Sequence, residues 1–413
     1  MNVLILHQNF PGQFRHIARH LVQRGHSVLG MGAKGSPGLK GVPALRYDIK
    51  VQAKPGHRYL GTITKAAQHG EVVAKALLEL GRKGHPEPDV ILAHPGWGEA
   101  LYVKDVLPGA RLVSLFEFYY HASGVDVGFD TGPEGSQPGF DLAATLASRN
   151  LLHLMNLERC DAGVSPTSWQ RSLHPPTYLP KISVAHEGID TTLMAPDPAD
   201  RFTLPDGRVL APGDPVLTYV ARHLEPYRGF HVFMRALPEI QRRNPRAVTV
   251  IVGGDGVSYG RKPAEARNWR EKLLAEVGGR LDLSRVVFTG QLPYAAYRSL
   301  LQVSAAHVYL TYPFVLSWSA LEAMACGCLM VASNTPPVAE VMRQGENALL
   351  FDFFDLDGLA ARVTEALTRP RDFTALRENA RTTVVQGYGI EQGIARYMAL
   401  LNGSQASLSD SPA

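Results

Sequence analysis

The sequence predicts an α/β protein built from two doubly wound parallel sheets. The chain has 413 residues, which is about twice the upper end of the ~100–200 residues typical of one domain, so two domains of similar size are expected. Short continuous apolar runs alternate with segments in which apolar residues recur at helical spacing, and this alternation starts again near Pro215. Buried strands that alternate with helices are typical of parallel sheets covered on both faces.

The first half begins with a strand, a loop and a helix. Residues 3–7 form an apolar run, residues 9–12 interrupt it with Pro and Gly, and Phe14, Ile17 and Leu21 then recur at helical spacing; such recurrence is typical of an amphipathic helix. Three further apolar runs predict strands at 27–31, 89–94 and 110–115. The first domain is therefore placed at 1–200.

The second half repeats this alternation. Apolar runs predict strands at 216–220, 247–252, 286–289, 306–310 and 329–332, by the same pattern rules. The second domain is placed at 210–382. Because ligands bind at the carboxyl ends of strands in open parallel sheets, the two domains are expected to face a central cleft.

Two segments predict irregular structure. Residues 194–207 are rich in Pro, Asp and Gly, so a hinge is expected at about 195–212. Residues 403–413 are polar and Ser-rich without periodicity, which predicts a disordered tail.

Composition and charge exclude several classes of protein. Hydrophobic residues make up 45% and charged residues 19% of the chain, a globular composition without the long apolar stretch of a spanning helix. The 42 Lys and Arg residues nearly balance the 38 Asp and Glu residues, so no nucleic-acid partner is predicted. No basic leader precedes the first apolar run, and the chain is predicted to be cytoplasmic.

The cysteines predict neither a metal site nor a disulfide framework. Cys160, Cys326 and Cys328 are too few for such a framework. The single residue between Cys326 and Cys328 gives neither zinc-ligand spacing nor the two-residue gap of redox pairs. Structural cysteines and no bound metal are therefore expected.

The first predicted helix carries a basic face. Arg15, Arg19 and Arg24, together with His16 and His20, lie on or near one side of it. A solvated basic face is the more common meaning of such a pattern, and weak peripheral contact with anionic lipid at the inner membrane face is the alternative.

The sharpest candidate site follows the first strand of the second half. Arg222 and Arg228 stand six residues apart, at a strand end and just before a helix. Because guanidinium groups bind phosphate oxygens in pairs, the two side chains are expected to converge on one diphosphate. Two solvated loop arginines are the alternative.

Two more strand ends in the second half carry candidate ligand-binding groups. Gly254 and Gly256 end a strand with little bulk, which lets a ligand approach the backbone or simply permits a tight turn. Ser317 is predicted to cap a helix, so the amides of Trp318 and Ser319 would point at an anion. Glu322, one turn further along, suits ribose hydroxyls, whereas a solvated helix carboxylate is the alternative.

Strand ends in the first half bring together histidine, glutamate and aromatic residues. His94 and Trp97 follow one predicted strand, and Glu117 and His121 follow the next. Aromatic rings suit the faces of sugars, and His and Glu suit proton transfer. Core packing around satisfied histidines explains the same pattern about equally well.

Taken together, these motifs resemble those of the retaining nucleotide-sugar glycosyltransferases of glycosyltransferase family 4, which have the GT-B fold. The resemblance covers about 1–402, and Tyr388 and Tyr397 resemble the family segment, here about 383–402, that crosses back to complete the first domain. The matching stretches are the glycine loop with Gly12, and residues 24–28, 184–190, 221–229, 288–292, 321–327 and 338–341.

The resemblance implies roles for individual residues. Arg222 and Arg228 would hold the donor diphosphate, and Glu322 would bind the ribose. Backbone groups near Gln291 and Leu292 would read the base.

The chain departs from the family pattern at two places. The family has an acid eight residues before the ribose-binding glutamate, where it contacts the donor sugar, and Phe314 stands there in this chain. The family's first-domain catalytic histidine also has no clear counterpart. Glu117 occupies its position and His121 follows one helical turn later, so both stay open, with His94 as a third candidate.

The sequence therefore predicts a retaining glycosyltransferase of carbohydrate biosynthesis. It would move a sugar from a nucleotide-diphosphate donor to the hydroxyl of a carbohydrate or lipid-linked acceptor, without a cofactor or a metal ion. A nucleotide-sugar epimerase or a phosphorylase on the same fold is one alternative. A non-catalytic nucleotide-sugar-binding protein is the other.

Overall fold

A computed structural model describes residues 1–49, 54 and 56–403. The predicted disordered tail at 403–413 therefore lies outside the described residues except for Gly403. The chain forms two compact units. The first contains Met1–Ala122, Pro138–Gly188 and the C-terminal segment from Ile390, and the second contains Ser123–Gln137 and Ile189–Gly389.

The first unit contains a seven-stranded sheet in the order β3-β2-β1-β4-β5-β6-β7. All of its strand pairs are parallel. Its strands are β1 (Asn2–Leu6), β2 (Ser27–Ala33), β3 (Ala44–Tyr47), β4 (Val90–Ala93), β5 (Arg111–Leu115), β6 (Ala162–Ser165) and β7 (Ile182–Val184). Its first helices are α1 (Arg15–Gln23), α2 (Gly61–Arg82), α3 (Val103–Val106), α4 (Phe140–Arg159) and α5 (Ser168–Ser172).

Alternate residues of β1 show that the first sheet is covered on both faces. Val3 and Ile5 belong to one buried cluster, which includes residues of α1. Leu4 and Leu6 belong to another, which includes residues of α2. Because successive side chains of a strand point to opposite faces, helices must cover both sides of this sheet.

The second unit contains a six-stranded parallel sheet and a small antiparallel hairpin. The sheet has the order β12-β11-β10-β13-β14-β15. The strands are β8 (Phe202–Thr203), β9 (Val209–Leu210), β10 (Val216–His223), β11 (Val248–Gly254), β12 (Val286–Gly290), β13 (Ala306–Tyr309), β14 (Met330–Ser333) and β15 (Leu349–Phe351). The helices are α6 (Phe230–Arg243), α7 (Trp269–Val277), α8 (Tyr294–Gln302), α9 (Trp318–Ala325), α10 (Pro336–Ala339), α11 (Leu356–Thr368) and α12 (Thr374–Gly387).

The predicted α/β class with two doubly wound parallel sheets is confirmed. Each strand predicted from an apolar run is present. The strands that the sequence did not predict are β3, β6, β7, β15 and the β8-β9 hairpin. Those strands have two to four residues.

The division between the units differs from the predicted boundaries. The turn-rich segment at 195–212 contains the β8-β9 hairpin, and Phe202, Leu204 and Leu210 are buried in a cluster with Val216 and Val250. That segment therefore belongs to the second unit, and the boundary predicted near 200–210 lies instead between Gly188 and Ile189. Three apolar side chains of the predicted hinge therefore lie in a core, whereas most of its other residues are exposed.

Residues 123–137, here called the strap, are a second departure. They leave the first unit after Ala122 and return to it at Pro138, and they pack within the second unit. The sequence placed them in the first domain.

The last described helix, α13 (Ile390–Leu401), belongs to the first unit. The chain returns to that unit at Ile390, later than the predicted start at about 383, because α12 packs against α9 in the second unit. Tyr397, Leu400 and Leu401 are buried in the cluster that also holds Leu21 of α1. Across residues 1–49, 54 and 56–403, no helix combines the length and the apolarity that crossing a membrane requires.

Leu400→Ala is expected to lower the free energy of unfolding of the first unit by about 2–5 kcal/mol, the usual cost of leaving a cavity in a core. Leu400 is 2% exposed. Chemical denaturation would measure the change, with Glu391→Ala, an exposed position on the same helix, as the control. An equal effect of the two substitutions would contradict the packing of α13 in this core.

Candidate active site

The first unit gathers polar side chains where its strand order reverses. Strands β1 and β4 are neighbours, although β2 and β3 extend the sheet on the other side of β1. At such a reversal the loops after the strands turn to opposite faces and leave a crevice at the carboxyl ends. His7 follows β1, His94 follows β4 and Glu117 lies two residues beyond β5.

These three side chains and Gln13 form one hydrogen-bonded network. The Nδ1 atom of His7 accepts the amide of Asn9, which leaves its Nε2–H to donate to Gln13 Oε1 at 2.7 Å. Gln13 Nε2 donates to Glu117 Oε1 at 2.7 Å. His94 Nδ1 accepts the amide of Gly96, so His94 Nε2–H donates to Glu117 Oε2 at 2.9 Å.

The network keeps Glu117 ionised and His7 neutral. Burial alone would raise the pKa of Glu117, but the hydrogen bonds from His94 and Gln13 outweigh it and lower that pKa. The side chain of Glu117 nevertheless keeps 31% of its surface exposed. Burial, reinforced by His94, lowers the pKa of His7 to about 4. The group therefore presents one partly exposed carboxylate held by hydrogen bonds from His94 and Gln13.

Gly12 and Trp97 complete the surroundings of this network. Gly12 has a φ of +51°, and a Cβ atom there would lie 2.2 Å from Nε2 of His7. The space that a side chain would occupy is thus filled by the His7 ring. Trp97 stacks on His94 with ring centroids 4.2 Å apart, and its half-buried indole offers a flat surface of the kind that sugars contact.

None of the contacts described for His121 reaches this network. Its Nε2 hydrogen-bonds with the carbonyl of Leu173 at 2.9 Å, and its ring packs edge-on against Tyr119. Of the three candidates for the acceptor side, the structure brings Glu117 and His94 together and directs His121 elsewhere.

A buried histidine that the sequence did not single out lies beside this region. His153 of α4 is 6% exposed and contacts the rings of Tyr119 and Tyr120. Burial, followed by the charges of His174 and Arg149, lowers the pKa of His153 to about 3. Its position on a helix with mixed polarity gave no signal in the sequence.

The second unit reverses its strand order between β10 and β13. Arg222 lies near the end of β10 and is exposed. It forms no ion pair with any residue that the structure describes, and its carbonyl accepts a weak hydrogen bond of 3.5 Å from Gln291 Nε2. Its guanidinium group is therefore open to a ligand.

Arg228, in contrast, is 7% exposed. Its Nη1 atom donates to Thr311 Oγ1 at 2.8 Å and to the carbonyl of Val315 at 2.9 Å, and lies 3.3 Å from the hydroxyl of Tyr309. The ring of Tyr259 lies 5.3 Å from the guanidinium carbon. The two arginines thus occupy different environments, which their common motif did not indicate.

A buried carboxylate organises the loop that carries Tyr259. Glu225 is 1% exposed and accepts the amides of Ser258, Tyr259 and Gly260 at 2.9, 3.2 and 2.9 Å. Three amide donors satisfy both oxygens of this carboxylate. Glu225 therefore fixes the conformation of the loop after β11, and the sequence did not single this residue out.

The glycines after β11 make room for a side chain as well as for backbone. A Cβ atom at Gly254 would lie 2.8 Å from Nδ1 of His223, and one at Gly256 would lie 2.8 Å from the same ring. The imidazole of His223 therefore packs where the sequence predicted a close approach by a ligand. Leu292, predicted to lie near the base, packs against two of the unit's apolar clusters.

Helix α9 begins where the sequence predicted, but without the predicted cap. Ser317 occupies the N-cap position, and its side chain makes no capping hydrogen bond. Its hydroxyl pairs with that of Ser319 at 2.8 Å, and its amide donates to the hydroxyl of Tyr309 at 3.0 Å. Ser317, Trp318 and Ser319 are half-buried. The Ser317 side chain hydrogen-bonds with Ser319 within the turn, and it does not bond to the backbone amides at the start of α9.

Glu322 is more deeply buried than the sequence implied, at 8% exposure. Its two oxygens accept the hydroxyls of Tyr294 and Tyr297 at 2.8 and 2.9 Å. Both tyrosines belong to α8, more than twenty residues earlier in the chain, so no local pattern could have paired them with Glu322. The solvated-carboxylate alternative is wrong for this residue.

Phe314 lies in an aromatic group. It is 6% exposed, and its ring centroid lies 5.4 Å from that of Tyr227 and 4.8 Å from that of Tyr259. Where the family has an acid, this chain has a packed apolar side chain. The contact that the acid makes to a donor sugar is therefore absent at this position.

The cysteines are buried and form no disulfide among themselves. Burial raises the pKa of the Cys328 thiol to about 12. Within the described ranges, no three His, Cys, Asp or Glu side chains are grouped as metal ligands.

Two family models match the chain in succession. The model of the "Glycosyl transferase family 4 group" matches residues 24–194, and that of "Glycosyl transferases group 1" matches residues 200–383. Together they cover most of both units.

Curated relatives are glycosyltransferases. The GDP-mannose-dependent alpha-(1-6)-phosphatidylinositol monomannoside mannosyltransferase of Mycolicibacterium smegmatis is 27% identical over 245 residues, which cover 57% of this chain and 60% of that protein. The D-inositol 3-phosphate glycosyltransferase of Rhodococcus jostii is 29% identical over 209 residues, which cover 48% and 42%. The chain thus spans less than two thirds of the length of either relative.

Solved structures show the same fold. The crystal structure of Anabaena Alr3699/HepE in complex with UDP superposes with a TM-score of 0.68 at 15% identity, over 98% of this chain and all of that one. With the two doubly wound parallel sheets, this likeness confirms the predicted GT-B fold.

The stability of the first unit is expected to fall between pH 7 and pH 5. A histidine whose pKa is near 6.5 when unfolded and about 3 when folded binds its proton only on unfolding in this range. The unfolded state then gains protons as the pH falls, and His153 alone would cost about 2 kcal/mol by pH 5. Urea titrations at both pH values would measure this loss.

His153→Leu should reduce that pH-dependent loss, because the proton-binding group is removed while an apolar side chain fills the site. His57→Leu is the control, since the imidazole of His57 is exposed. Equal pH dependence in the wild type and in His153→Leu would contradict the assignment of a buried neutral imidazole.

Proposed function

The chain belongs to the glycosyltransferases of the family 4 group, and on this premise we propose that it transfers a sugar from a nucleotide-diphosphate donor to an acceptor hydroxyl with retention at the anomeric carbon. The second unit would bind the donor, and the first unit would bind the acceptor.

The environment of Arg228 carries the proposal. The hydrogen bonds of its Nη1 atom go to a threonine hydroxyl, a tyrosine hydroxyl and a peptide carbonyl, all of them neutral. Burial alone would lower the pKa of Arg228, but Tyr309, Tyr259 and Glu225 together outweigh it and raise that pKa. The oxygens of Glu225 are already occupied by three backbone amides, so an anionic ligand would still offset a buried charge whose own hydrogen bonds go to neutral acceptors. A donor diphosphate at the carboxyl ends of β10 and β13 would supply that anion, and the exposed Arg222 would bind it from the same strand end.

The two arginines would also supply the positive charge that a metal ion would otherwise provide. As the bond between the sugar and the diphosphate breaks, negative charge grows on the leaving group. Positive groups already in place stabilise that charge without reorganisation. The half-buried amides at the start of α9 would add partial positive charge.

On the acceptor side, Glu117 has the features of a group that orients a hydroxyl. It is ionised, partly exposed and held by His94 and Gln13. An acceptor hydroxyl could donate a hydrogen bond to it, and a sugar ring could lie on Trp97. His94 and Glu117 are therefore proposed as the polar groups closest to the reacting hydroxyl.

The relatives suggest the class of acceptor. One acts on a phosphatidylinositol mannoside and another on an inositol phosphate, as their names state. We therefore propose a carbohydrate or lipid-linked polyol as the acceptor. Arg15, Arg19 and Arg24 are exposed on or just after α1, and weak contact of this face with anionic lipid at the inner membrane surface belongs to the same proposal.

Phe314 favours one competing function. Because no acid stands at the position that contacts the donor sugar in the family, the chain could bind nucleotide sugars without turning them over. Turnover of a donor in the presence of an acceptor separates the two functions.

One nucleoside diphosphate is expected to raise the melting temperature. A ligand at 100 times its Kd stabilises a protein by about 2.7 kcal/mol. Thermal unfolding with UDP, GDP, ADP and dTDP, and with their sugar conjugates, would identify the base. A shift that EDTA does not change supports a metal-independent donor site, whereas a shift that EDTA abolishes would contradict the replacement of the metal by arginines.

Arg222→Ala is expected to lower kcat by about 10²–10³-fold, as for the loss of one group that stabilises transition-state charge. Arg222 is exposed and packs in none of the cores that the structure describes, so its removal should leave the fold intact. Arg280→Ala, at an exposed arginine after α7, is the control. Steady-state kinetics with the donor found above would measure both variants. An Arg222→Ala enzyme with unchanged kcat would remove Arg222 from the mechanism.

A further inference from the structure

The strap carries three acidic residues whose spacing matches that of three partners in the second unit. Asp126, Asp130 and Glu134 are spaced four residues apart, and so are Tyr227, His231 and Arg235. The hydroxyl of Tyr227 donates to Asp126 Oδ2 at 2.8 Å. His231 Nε2 lies 3.2 Å from Asp130 Oδ2, and Arg235 Nη2 donates to Glu134 Oε1 at 2.8 Å.

The three carboxylates are buried. Asp126 and Asp130 are 5% and 3% exposed, and the side chain of Glu134 is 3% exposed. A buried carboxylate is tolerated only where donors satisfy it. The three pairs therefore fix the register of the strap on the turn before α6 and on α6 itself.

The first pair reaches the candidate donor site directly. Tyr227 directly precedes Arg228. Its carbonyl accepts the amide of Tyr312, and its ring lies 5.4 Å from Phe314 and 6.1 Å from Tyr259. These two rings in turn contact each other, and that of Tyr259 lies over the Arg228 guanidinium.

The second pair approaches that site one step further away. Asp130 accepts the hydroxyl of Tyr312, whose ring lies 4.9 Å from that of Tyr227. The third pair makes no such contact among those described.

We propose that Asp126 is a positioning residue for Arg228. By holding the hydroxyl of Tyr227, it fixes the aromatic group of Tyr227, Tyr259 and Phe314, against which the guanidinium lies. This role rests on the proposed function, in which Arg228 binds the donor diphosphate. It assigns to the strap, a segment far from the donor motifs in sequence, a part in donor binding.

The third pair supplies a matched control. Glu134 also has a buried side chain, belongs to the same segment and pairs with Arg235, which also contacts Glu276. Arg228 lies in the turn before α6, and Arg235 follows it by seven residues on α6 itself. Neither Glu134 nor Arg235 belongs to the aromatic group. A purely structural strap would make Asp126 and Glu134 equivalent.

The first arm of the test needs no ligand. Phenylglyoxal modifies accessible arginines, and peptide mass spectrometry measures the rate at Arg228. Asp126→Asn and Tyr227→Phe should each raise that rate, whereas Glu134→Gln should leave it at the wild-type value. Equal rates in all four proteins would overturn the proposal.

The second arm measures the affinity for the nucleoside diphosphate that stabilises the wild type. Asp126→Asn should weaken it about tenfold, the effect expected for losing one hydrogen bond to a charged group. If Asp126 acts through the Tyr227 hydroxyl, the double variant should be no weaker than either single variant, since the two substitutions remove the same contact. Additive losses, or an equal loss in Glu134→Gln, would overturn the positioning role.

The two arms separate this inference from the proposed function. A wild type that binds no nucleotide would overturn the donor site, while the labelling of Arg228 would still decide whether Asp126 positions it. Wild-type binding with unchanged affinity in Asp126→Asn would overturn the inference and leave the donor site in place.

Discussion

The reversal of strand order within each sheet is the constraint on which both candidate sites depend. In the first unit the reversal lies between β1 and β4, and in the second between β10 and β13. Because the covering helices change face at this point, the carboxyl ends of the two strands stay open. His7 and His94 occupy these ends in the first unit, and Arg222 does so in the second. The positions of the chemical groups follow from the topology before any of their contacts are considered.

Much of this could be predicted from the sequence, because strands and helices are encoded locally. The apolar runs predicted β1, β4, β5, β10 and β13, and the residue types at or just after the ends of β4, β5 and β10 indicated His94, Glu117 and Arg222 as candidates. Strand neighbours and the reversal of order follow from the general rules of doubly wound sheets. Such inferences need only the residues within about ten positions of the site.

Contacts between distant segments could not be predicted, because no periodicity records them. Glu322 was expected to bind a ribose, and the structure pairs it with Tyr294 and Tyr297 of another helix. Ser317 was expected to cap α9, but its hydroxyl found Ser319. The strap was assigned to the wrong unit, since nothing local reveals that its carboxylates match a second set of side chains one hundred residues away.

Comparison of two arginines shows why contacts matter more than residue type. Arg228 and Arg235 are seven residues apart, and Arg235 lies on α6. Arg235 forms ion pairs with Glu134 of the strap and Glu276 of α7. These two carboxylates neutralise its charge and link the strap and α7 to α6. The Nη1 atom of Arg228 meets neutral oxygens, and an aromatic ring lies over the guanidinium. No carboxylate accepts a hydrogen bond from its guanidinium among these contacts, and Glu225, which acts on its charge from a distance, is already satisfied by three amides. Arg228 therefore keeps more capacity to bind a diphosphate than Arg235 does.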